Sequence, residues 1–332
     1  MADTRPRSGP PEAPASGGAS PAAPGGEHGA KVHEVPQTAP EREFTIERRS
    51  QAQMVLRRFL AHRLAVASLV VLLLVIVGSL IGGRLWKYDY ADITDEFSTP
   101  PSWAHPMGTD DIGHDSMAQI LRGAQKSVQV ALLVALLSTT FGAVLGALAG
   151  YYRGWLDSVL MRFTDLVLTV PYIALTAVLA GTLADRAGNW FYIALVLAAL
   201  LWTYIARVVR GQFLSLREKE FVEAARALGA SDRRIIFRHL LPNATGAIIV
   251  NATITVAVAI LLEAALSYLG VGIRPPDTSL GLLVQDGQQA ATTRPWLFYF
   301  PGVIIIVIAL TVNFVGDGLR DAFDPTQTRV RA

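Results

Sequence analysis

The chain contains no cysteine and few charged residues. Without a thiol it can form neither a disulfide nor a thiolate metal site. Charged residues make up 17% of its 332 residues, whereas an ordinary soluble domain has roughly 25%. Hydrophobic residues make up 52%, and the mean hydropathy is +0.38. This balance predicts a membrane protein, and the net charge of +2 is too small to indicate nucleic-acid binding.

Three sequence patterns that carry chemistry are also missing. The chain has no G-x-x-x-x-G-K-[ST] loop for ATP, no G-x-S-x-G nucleophile elbow and no H-E-x-x-H metal pair. We therefore predict no catalytic residue, no metal site and no cofactor in this chain, and an intramembrane enzyme is the least favoured class. His105 and His114 lie close to Asp110, Asp111 and Asp115 and could be offered as metal ligands. Single histidines in an acidic loop are more often ordinary surface residues.

Residues 1–50 differ from the rest of the chain. Eight of the 18 prolines lie within residues 1–40, together with many Gly, Ala and Ser residues. Such a segment buries too little apolar surface to offset the entropy cost of ordering it, so we expect a disordered cytoplasmic tail. We expect no signal peptide, because the first 30 residues contain no apolar core.

Six apolar segments are candidates to cross a bilayer, which needs about 20 residues. Each should be a helix, because lipid offers no partners for backbone N–H and C=O groups. The sequence therefore predicts an all-α polytopic membrane protein with six transmembrane helices. The predicted spans are Leu64–Ile81, Val128–Gly150, Leu160–Leu183, Trp190–Val209, Thr245–Leu266 and Leu297–Val315.

These spans divide the chain into five parts. After the tail at 1–50 we expect a first transmembrane helix at 55–83 and an extracytoplasmic loop at 84–126. A core at 127–325 follows, with a cytoplasmic loop at 211–243 and a short C-terminal tail at 326–332.

The placement of Lys and Arg predicts that both termini lie inside the cell. Arg57, Arg58 and Arg63 precede the first span, and the segment Arg207–Asn243 carries eight basic residues. The loop Arg84–Lys126 carries four basic residues against seven acids, as suits the outer side.

Small residues recur every four positions in the second span, which would line one helix face for close packing against another helix. Pro171 lies inside the third span and should kink it. The small residues are Ser138, Gly142, Gly146 and Gly150.

Two acids, Asp165 and Glu263, lie near predicted membrane boundaries. Acids within a membrane are functional candidates by default, but a position near the boundary weakens that default. We expect structural pairing for both, with Arg162 as the partner of Asp165 because the two share a helix face.

The polar segment Glu220–Asn243 lies between the fourth and fifth spans. It predicts a helix that ends before Gly229 and a short second helix that Ser231 caps and Pro242 stops. A DNA-binding helix-turn-helix, a solvated basic loop and a docking element for a soluble partner are the three alternatives. The first needs its own three-helix core and the second leaves the glycine and the cap unexplained, so docking is favoured. The first helix would carry an apolar stripe of Phe213, Leu216, Phe221, Ala224, Ala225 and Leu228.

At this segment the chain resembles a known family. Glu223-Ala224-Ala225, Gly229 and Leu241-Pro242 have the spacing of the EAA loop of ABC-importer permeases, and "RHLLPN" is similar to the dipeptide, oligopeptide and nickel branch. Three further stretches resemble family elements, so the resemblance to a C-type peptide permease runs from about residue 55 to 328. They are Gly108–Ser127, Leu262–Gly281 and Gly316–Pro325.

The resemblance implies the fold of type I ABC-importer permeases, in the bacterial cytoplasmic membrane. It implies a second homologous permease subunit, two nucleotide-binding ATPase subunits that hold ATP and Mg²⁺, an extracytoplasmic substrate-binding protein and membrane lipid, but no nucleic acid. The implied function is ATP-driven import of di- and oligopeptides by alternating access. Nickel or a nickel chelate remains the alternative cargo. A stand-alone secondary transporter is less favoured, because it would prefer paired acids or broken helices in mid-membrane.

The resemblance also implies which residues dock on the ATPase. Ala224 and Ala225 would allow close contact, Glu223 and Arg226 would fix its orientation, and Gly229 would permit the turn. Leu241 and Pro242 would anchor the exit of the loop.

On the outer side, Asp110, Asp111 and the Pro275–Pro276 loop would contact the binding protein. The residues that bind substrate stay unassigned.

Overall fold

The computed structural model describes residues 51–182 and 189–324. Within these residues the chain is helical and forms no strand beyond two isolated bridges. The predicted tails at 1–50 and 326–332, and the end of the third predicted span at Leu183, lie outside the described residues. The helices are α1 (Gln51–Ala61), α2 (Arg63–Leu85), α3 (Ser116–Tyr152), α4 (Gly154–Thr169), α5 (Tyr172–Thr182), α6 (Trp190–Arg217), α7 (Glu220–Ala227), α8 (Asp232–Arg234), a π-helix (Ile235–Leu240), α9 (Leu241–Tyr268), α10 (Leu280–Gly287) and α11 (Pro295–Phe323).

The predicted first transmembrane helix at 55–83 is two helices. The chain breaks at His62, whose backbone is extended and whose Nδ1 accepts a hydrogen bond from the amide of Ala65 at 3.1 Å. This side-chain cap replaces the backbone partner that a continuous helix would have supplied. Phe59 of α1 is buried against α11, so only α2 is the spanning helix.

The predicted loop at 84–126 ends eleven residues early, because α3 begins at Ser116. Asp115 caps α3 by accepting a hydrogen bond from the amide of Ala118 at 2.8 Å. The sequence placed the start of the span after Arg122 and Lys126, because these charged residues interrupt the apolar run. The helix itself begins earlier, since polar turns of a helix can extend beyond the hydrocarbon layer. At 37 residues, α3 is about 55 Å long, whereas the hydrocarbon core is about 30 Å thick.

The small residues of the second span pack against α6, as predicted. An added Cβ would lie 2.6 Å from the carbonyl oxygen of Trp202 at Gly142, and 2.4 Å from that of Ala206 at Gly146. An added Cβ at Gly150 would likewise lie too close to Arg210 and Phe213. The Ser138 hydroxyl donates a hydrogen bond to the carbonyl of Ala198 at 3.4 Å. The contacts with Ala198, Trp202, Ala206 and Arg210 each join residues 60 positions apart, so α3 and α6 run in the same direction over about three turns.

Pro171 breaks the third predicted span into α4 and α5, which meet at an angle of 82°. The proline lacks an N–H, and the residue before it is extended, so the helix cannot continue through it. Among the described residues, five single helices are long and apolar enough to cross a membrane, and there are six crossings if the bent pair α4 and α5 counts as one. Because α3 and α6 are parallel, the chain must return to its starting side between them. We therefore count α4 and α5 as the sixth crossing.

Two of the three buried clusters of the described residues lie along α3. The larger lies between α3, α6, α9 and α11 and includes Val130, Ile193, Ile260 and Ile308. A second lies at the far end of α3, where Tyr151 packs with residues of α6, α7 and the π-helix.

Candidate functional site

The inner loop, residues 218–240 between α6 and α9, is shorter than the predicted loop at 211–243. Helix α6 continues to Arg217 and α9 begins at Leu241. Gly229 has a φ of +78° and ends α7, as the sequence predicted. Its amide donates to the carbonyl of Arg226 at 2.9 Å, and the amide of Ala230 donates to that of Ala225 at 3.0 Å. This pair of bonds is a Schellman motif, which requires the left-handed conformation that glycine adopts without strain.

Helix α7 has one buried face and one exposed apolar face. Val222 is 0% exposed and packs into the second cluster, and Ala225 is 8% exposed. Phe221, Ala224 and Leu228 are exposed, and Leu228 keeps 88% of its surface. Helical periodicity turns Ala225 inward and Ala224 outward, and the contact of Ala225 with a partner stays a prediction. The predicted apolar stripe therefore combined residues that face the bundle with residues that face away from it.

The polar residues of α7 lie on its third side. Glu223 and Arg226 are exposed, but the Arg226 guanidinium also sits 5.9 Å from the ring centre of Tyr151, the penultimate residue of α3. Arg226 therefore holds α7 to the bundle through a cation–π contact as well as facing solvent.

A hydrogen bond that the sequence did not reveal ties the inner loop to α3. The Tyr151 hydroxyl donates to Asp232 at 2.5 Å, and Arg217 donates to the Tyr151 carbonyl. Ser231 occupies the N-cap position of α8 as predicted, but its hydroxyl makes no capping bond. The inner loop is thus fixed to the end of α3 by side chains 81 residues apart.

Pro242 does not stop the second helix of the loop, contrary to the prediction. The π-helix leads directly into α9, and Pro242 lies in the first turn of α9. The amide of Leu241 donates to the carbonyl of Ile236, five residues back. A wide turn just before the proline lets the chain remain helical although Pro242 cannot donate an N–H. Leu241 is half-buried against the second cluster and Pro242 is exposed.

Asp165 pairs with α6 rather than with its neighbour Arg162. Its carboxylate lies 2.5 Å from Arg207, and Asp157 binds Arg210 through two hydrogen bonds of 2.5 and 2.7 Å. The prediction of an Arg162 partner is therefore wrong, because close packing of α4 on α6 offers a cation in better geometry than the next turn of α4.

Glu263 is fully buried and pairs with hydroxyl groups instead of a cation. Ser127 of α3 donates to one carboxyl oxygen at 2.6 Å, and Ser267 donates to the other at 2.7 Å. Each serine in turn accepts an amide hydrogen bond, from Leu280 at 3.4 Å and Ile273 at 3.2 Å respectively. Glu263 therefore joins α3, α9 and the chain after α9 in one polar network.

The predicted outer residues surround one cavity of about 750 Å³, which we call the outer cavity. It lies between the loop at 86–115, the chain at 275–278 and α10. Asp110, Asp111, Pro275 and Pro276 all line it, and the peptide bond between the two prolines is cis. The structure therefore brings together two loops that the sequence could only place on the same side of the membrane.

The two histidines of the outer loop are structural. His105 is 1% exposed, and its Nδ1 lies 2.6 Å from Asp115, so it is not the surface residue that we expected. His114 Nδ1 lies 2.8 Å from Asp110. Across residues 51–182 and 189–324, no group of three or more His, Asp or Glu side chains is placed to hold a metal ion.

Two acids of the outer cavity have shifted pKa values. Burial alone would raise the pKa of Asp277, but hydrogen bonds and charges from Lys126 and Arg122, at 2.7 and 2.8 Å, lower it below its ordinary value. The pKa of Asp286 is raised, first by burial and then by the negative charges of Asp110 and Asp111. One acid is thus neutralised by cations, whereas the other faces like charges.

Comparisons with known proteins agree with this architecture. Residues 142–329 match the family described as binding-protein-dependent transport system inner membrane component. Residues 50–101 match the N-terminal transmembrane domain of oligopeptide transport permease C.

Two relatives and one solved structure extend the match. An oligopeptide transport system permease protein OppC of Mycobacterium bovis is 45% identical over 283 residues, covering 85% of this chain and 97% of the relative. The OppC protein of Bacillus subtilis is 37% identical over 269 residues, covering 81% and 87%. The fold also resembles that of the methionine ABC transporter MetNI in an inward-facing conformation, with a TM-score of 0.52, 21% identity and coverage of 63% and 97%.

Proposed function

The chain belongs to the family of binding-protein-dependent transport system inner membrane components, and we propose that it is the permease subunit of an ATP-driven importer of di- and oligopeptides. The cargo is supported by relatives named as oligopeptide permeases that share up to 45% identity over most of both chains. Nickel remains the less favoured cargo, since no specific contact in the described residues supports it.

Transport in this proposal needs a separate ATPase. The sequence has no ATP-binding loop of its own, so ATP and Mg²⁺ would be bound by two partner ATPase subunits. A second homologous permease chain and an extracytoplasmic binding protein would complete the complex, and the dependence on a binding protein is supported by the family description. Alternating access would then be a rigid-body switch between two states that ATP and the loaded binding protein both bias.

The exposed apolar face of α7 carries the docking proposal. Phe221, Ala224 and Leu228 form this face, and Phe237 of the π-helix is also 62% exposed. Exposed apolar side chains rimmed by charged residues mark protein interaction sites. The face lies at the inner end of α3, about 55 Å from the outer loop, and the eight basic residues from Arg207 to Asn243 place this end in the cytoplasm. An ATPase subunit is the soluble partner that the family supplies there.

Substitution of Leu228 tests the docking face. Leu228→Asp would place a charge in the contact without disturbing the fold, because the side chain is 88% exposed. We expect normal amounts of protein in the membrane, but at least a tenfold loss of tripeptide uptake and weaker co-purification of the ATPase subunits. Such a loss corresponds to about 1.4 kcal/mol of docking energy or more.

Ala227→Asp is the matched control for this experiment. Ala227 is also exposed, but it lies roughly 100° around the helix from Leu228. It should retain most of the uptake. Normal uptake and co-purification of Leu228→Asp would contradict the docking role of α7.

A further inference from the structure

A second, smaller cavity lies between the outer end of α2 and the beginning of α3, and we call it the boundary pocket. Its volume is about 210 Å³. Leu80, Gly83 and Arg84 of α2 form one wall, and the opposite wall belongs to α3 and to the chain at 88–90. Of the described residues, Tyr90 alone lines both this pocket and the outer cavity. The boundary pocket is therefore a separate site.

The length of α2 places the boundary pocket at the level of the lipid headgroups. Arg63 begins α2, and Arg84 follows 84 − 63 = 21 positions later, which is about 32 Å along the helix axis. No residue between them is charged, and the hydrocarbon core is about 30 Å thick. Trp86, Tyr88 and Tyr90 come next, and such aromatic residues are enriched where a membrane meets water. Arg84 therefore lies at the outer boundary of the hydrocarbon core.

The side of α2 that leads to the boundary pocket is exposed and apolar. Leu73, Val77 and Leu80 are large exposed residues, and their spacing of four and three positions places them on one helix face. Leu80 also lines the pocket. On a spanning helix, an apolar face of this kind suits the acyl chains of lipid. The face therefore connects the bilayer with the pocket.

The boundary pocket has hydrogen-bond donors that the described residues leave unused. Arg84 is exposed and forms no hydrogen bond or ion pair with any described residue. Arg122 donates from Nε to Asp277 at 2.8 Å and from Nη1 to Gln125 at 3.3 Å, which leaves its Nη2 without an acceptor among the described residues. The Gln125 side chain accepts on Oε1, and its Nε2 is likewise unused there. Neither nitrogen is buried, and guanidinium donors match the geometry of phosphate oxygens.

The charges at the boundary pocket favour a ligand with a single negative charge. Arg84 and Arg122 line the pocket as cations, and Asp89 lines it as an acid. Asp277 binds both Arg122 and Lys126 and so compensates only one of these two charges. The balance is therefore positive and attracts an anion. A phosphodiester carries one negative charge, whereas free phosphate carries more at pH 7 and would be repelled more strongly by Asp89.

We propose that the boundary pocket holds the phosphodiester of a phospholipid from the outer leaflet, with Arg84 and Arg122 as its charge partners. One acyl chain would lie along the exposed face of α2 that ends at Leu80. Basic pockets between transmembrane helices bind lipid headgroups. Because Arg84 belongs to α2 and Arg122 to α3, the phosphate would bridge the outer ends of these two helices. This site concerns membrane lipid and is independent of the proposed cargo.

Photocrosslinking of the complete transporter in dodecyl maltoside, a detergent without phosphate, tests the lipid site. The probe is phosphatidylglycerol with a diazirine midway along one acyl chain. Irradiation releases nitrogen and leaves a carbene, which inserts into a bond of the residue that the chain contacts. Mass spectrometry compares labelling of residues 73–80 with labelling of residues 64–71 at the inner end of α2. We expect this ratio to be at least fivefold higher than with diacylglycerol that carries the same diazirine chain but no phosphate.

Two substitutions separate the charge of the boundary pocket from its space. Arg84→Gln removes the unpaired guanidinium, and Gly83→Phe occupies the pocket, since nothing lies within 4 Å of an added Cβ at Gly83. Each should lower the labelling ratio at least fivefold, and Gly83→Phe decides the question if Arg84→Gln does not assemble. Lys87→Gln is the matched control, because it removes the same charge three positions away from a residue that is exposed and does not line the pocket. It should leave the ratio unchanged.

Equal ratios for the phospholipid and the diacylglycerol would overturn the lipid site. An equal loss of labelling in Arg84→Gln and Lys87→Gln would also overturn it, since that result would mean diffuse attraction instead of a pocket. Inorganic phosphate in excess should not reduce the labelling, and competition by it would assign the pocket to a free anion. Peptide uptake by the same preparations separates these results from the proposed function, because transport without lipid labelling would remove only the lipid site.

Discussion

A methyl group added at Gly146 tests the close packing of α3 on α6. The Cβ of Gly146→Ala would lie 2.4 Å from the carbonyl oxygen of Ala206 and 2.9 Å from the Cβ of Val209. Ordinary contacts begin at 3.4 Å, so the helices must part by the difference, 3.4 − 2.4 = 1.0 Å. Because a backbone carbonyl cannot rotate away as a side chain can, the whole helix has to shift.

The cost of this shift can be separated from the helix propensity of alanine. Overpacking a tight contact costs about 1–3 kcal/mol, while replacing glycine by alanine within a helix gains about 0.5–1 kcal/mol. Gly211→Ala on α6 is the matched control, since nothing lies within 4 Å of an added Cβ there. The propensity gain cancels between the two variants, which leaves a difference of about 1–3 kcal/mol in the free energy of unfolding.

The assay is thermal unfolding of the detergent-solubilised protein. A destabilisation of about 1–3 kcal/mol corresponds to a fall on the order of 2–10 °C in the unfolding temperature of Gly146→Ala relative to Gly211→Ala. Identical unfolding temperatures would refute the reasoning, because they would mean that α3 and α6 have room between them.

Two further predictions concern the outer half of the molecule. Glu263→Ala would leave the hydroxyls of Ser127 and Ser267 without their acceptor, so we expect a loss of about 2–4 kcal/mol in the free energy of unfolding. Glu263→Gln keeps the shape of the side chain and one acceptor oxygen, so it should lose less. Equal thermal stability of the two variants would contradict this prediction. The lowered pKa of Asp277 means that its ionised form stabilises the fold above about pH 4, the ordinary value for Asp, and that this contribution is lost as the pH falls through the lowered value. Asp277→Asn should therefore unfold at a lower temperature than the wild type at pH 7, and the gap should shrink as the pH falls below about 4; a gap independent of pH would oppose this assignment.

Local patterns in the sequence predicted the features that depend on neighbouring residues. The four-residue repeat from Ser138 to Gly150 identified a packing face, Pro171 a change of helix direction and Gly229 the end of a helix. In each case the backbone conformation or the close helix contact requires a particular kind of residue, either a proline or a small residue such as glycine. Such features can be read without knowing which helix lies opposite.

The features that the sequence did not reveal depend on residues that are distant in the chain. Asp165 binds Arg207, 42 positions away, although Arg162 is nearer in sequence. Ser127 reaches Glu263 across 136 positions, and its hydroxyl gives no pattern in the sequence. Only the packing of α3 on α9 and of α4 on α6 decides these pairs.

The inner loop shows a second kind of limit. The sequence predicted one apolar stripe, but it could not divide that stripe between residues that face the bundle and residues that are exposed. Ala225 belongs to the buried face and Ala224 to the exposed one, although they are adjacent and identical. Their assignment depends on which side of α7 rests against Tyr151 and Phe213.

Helix α3 connects the two candidate sites as one rigid element. Its first residue, Ser116, lines the outer cavity, and Tyr151 near its last turn holds the inner loop through Asp232. The glycine contacts leave no space between α3 and α6, so a force on the inner loop must move both helices together. Over about 55 Å, a tilt of about 5° displaces the far end by about 5 Å. A movement of the inner loop would therefore reach the outer cavity through α3 itself, without any relay of side-chain movements.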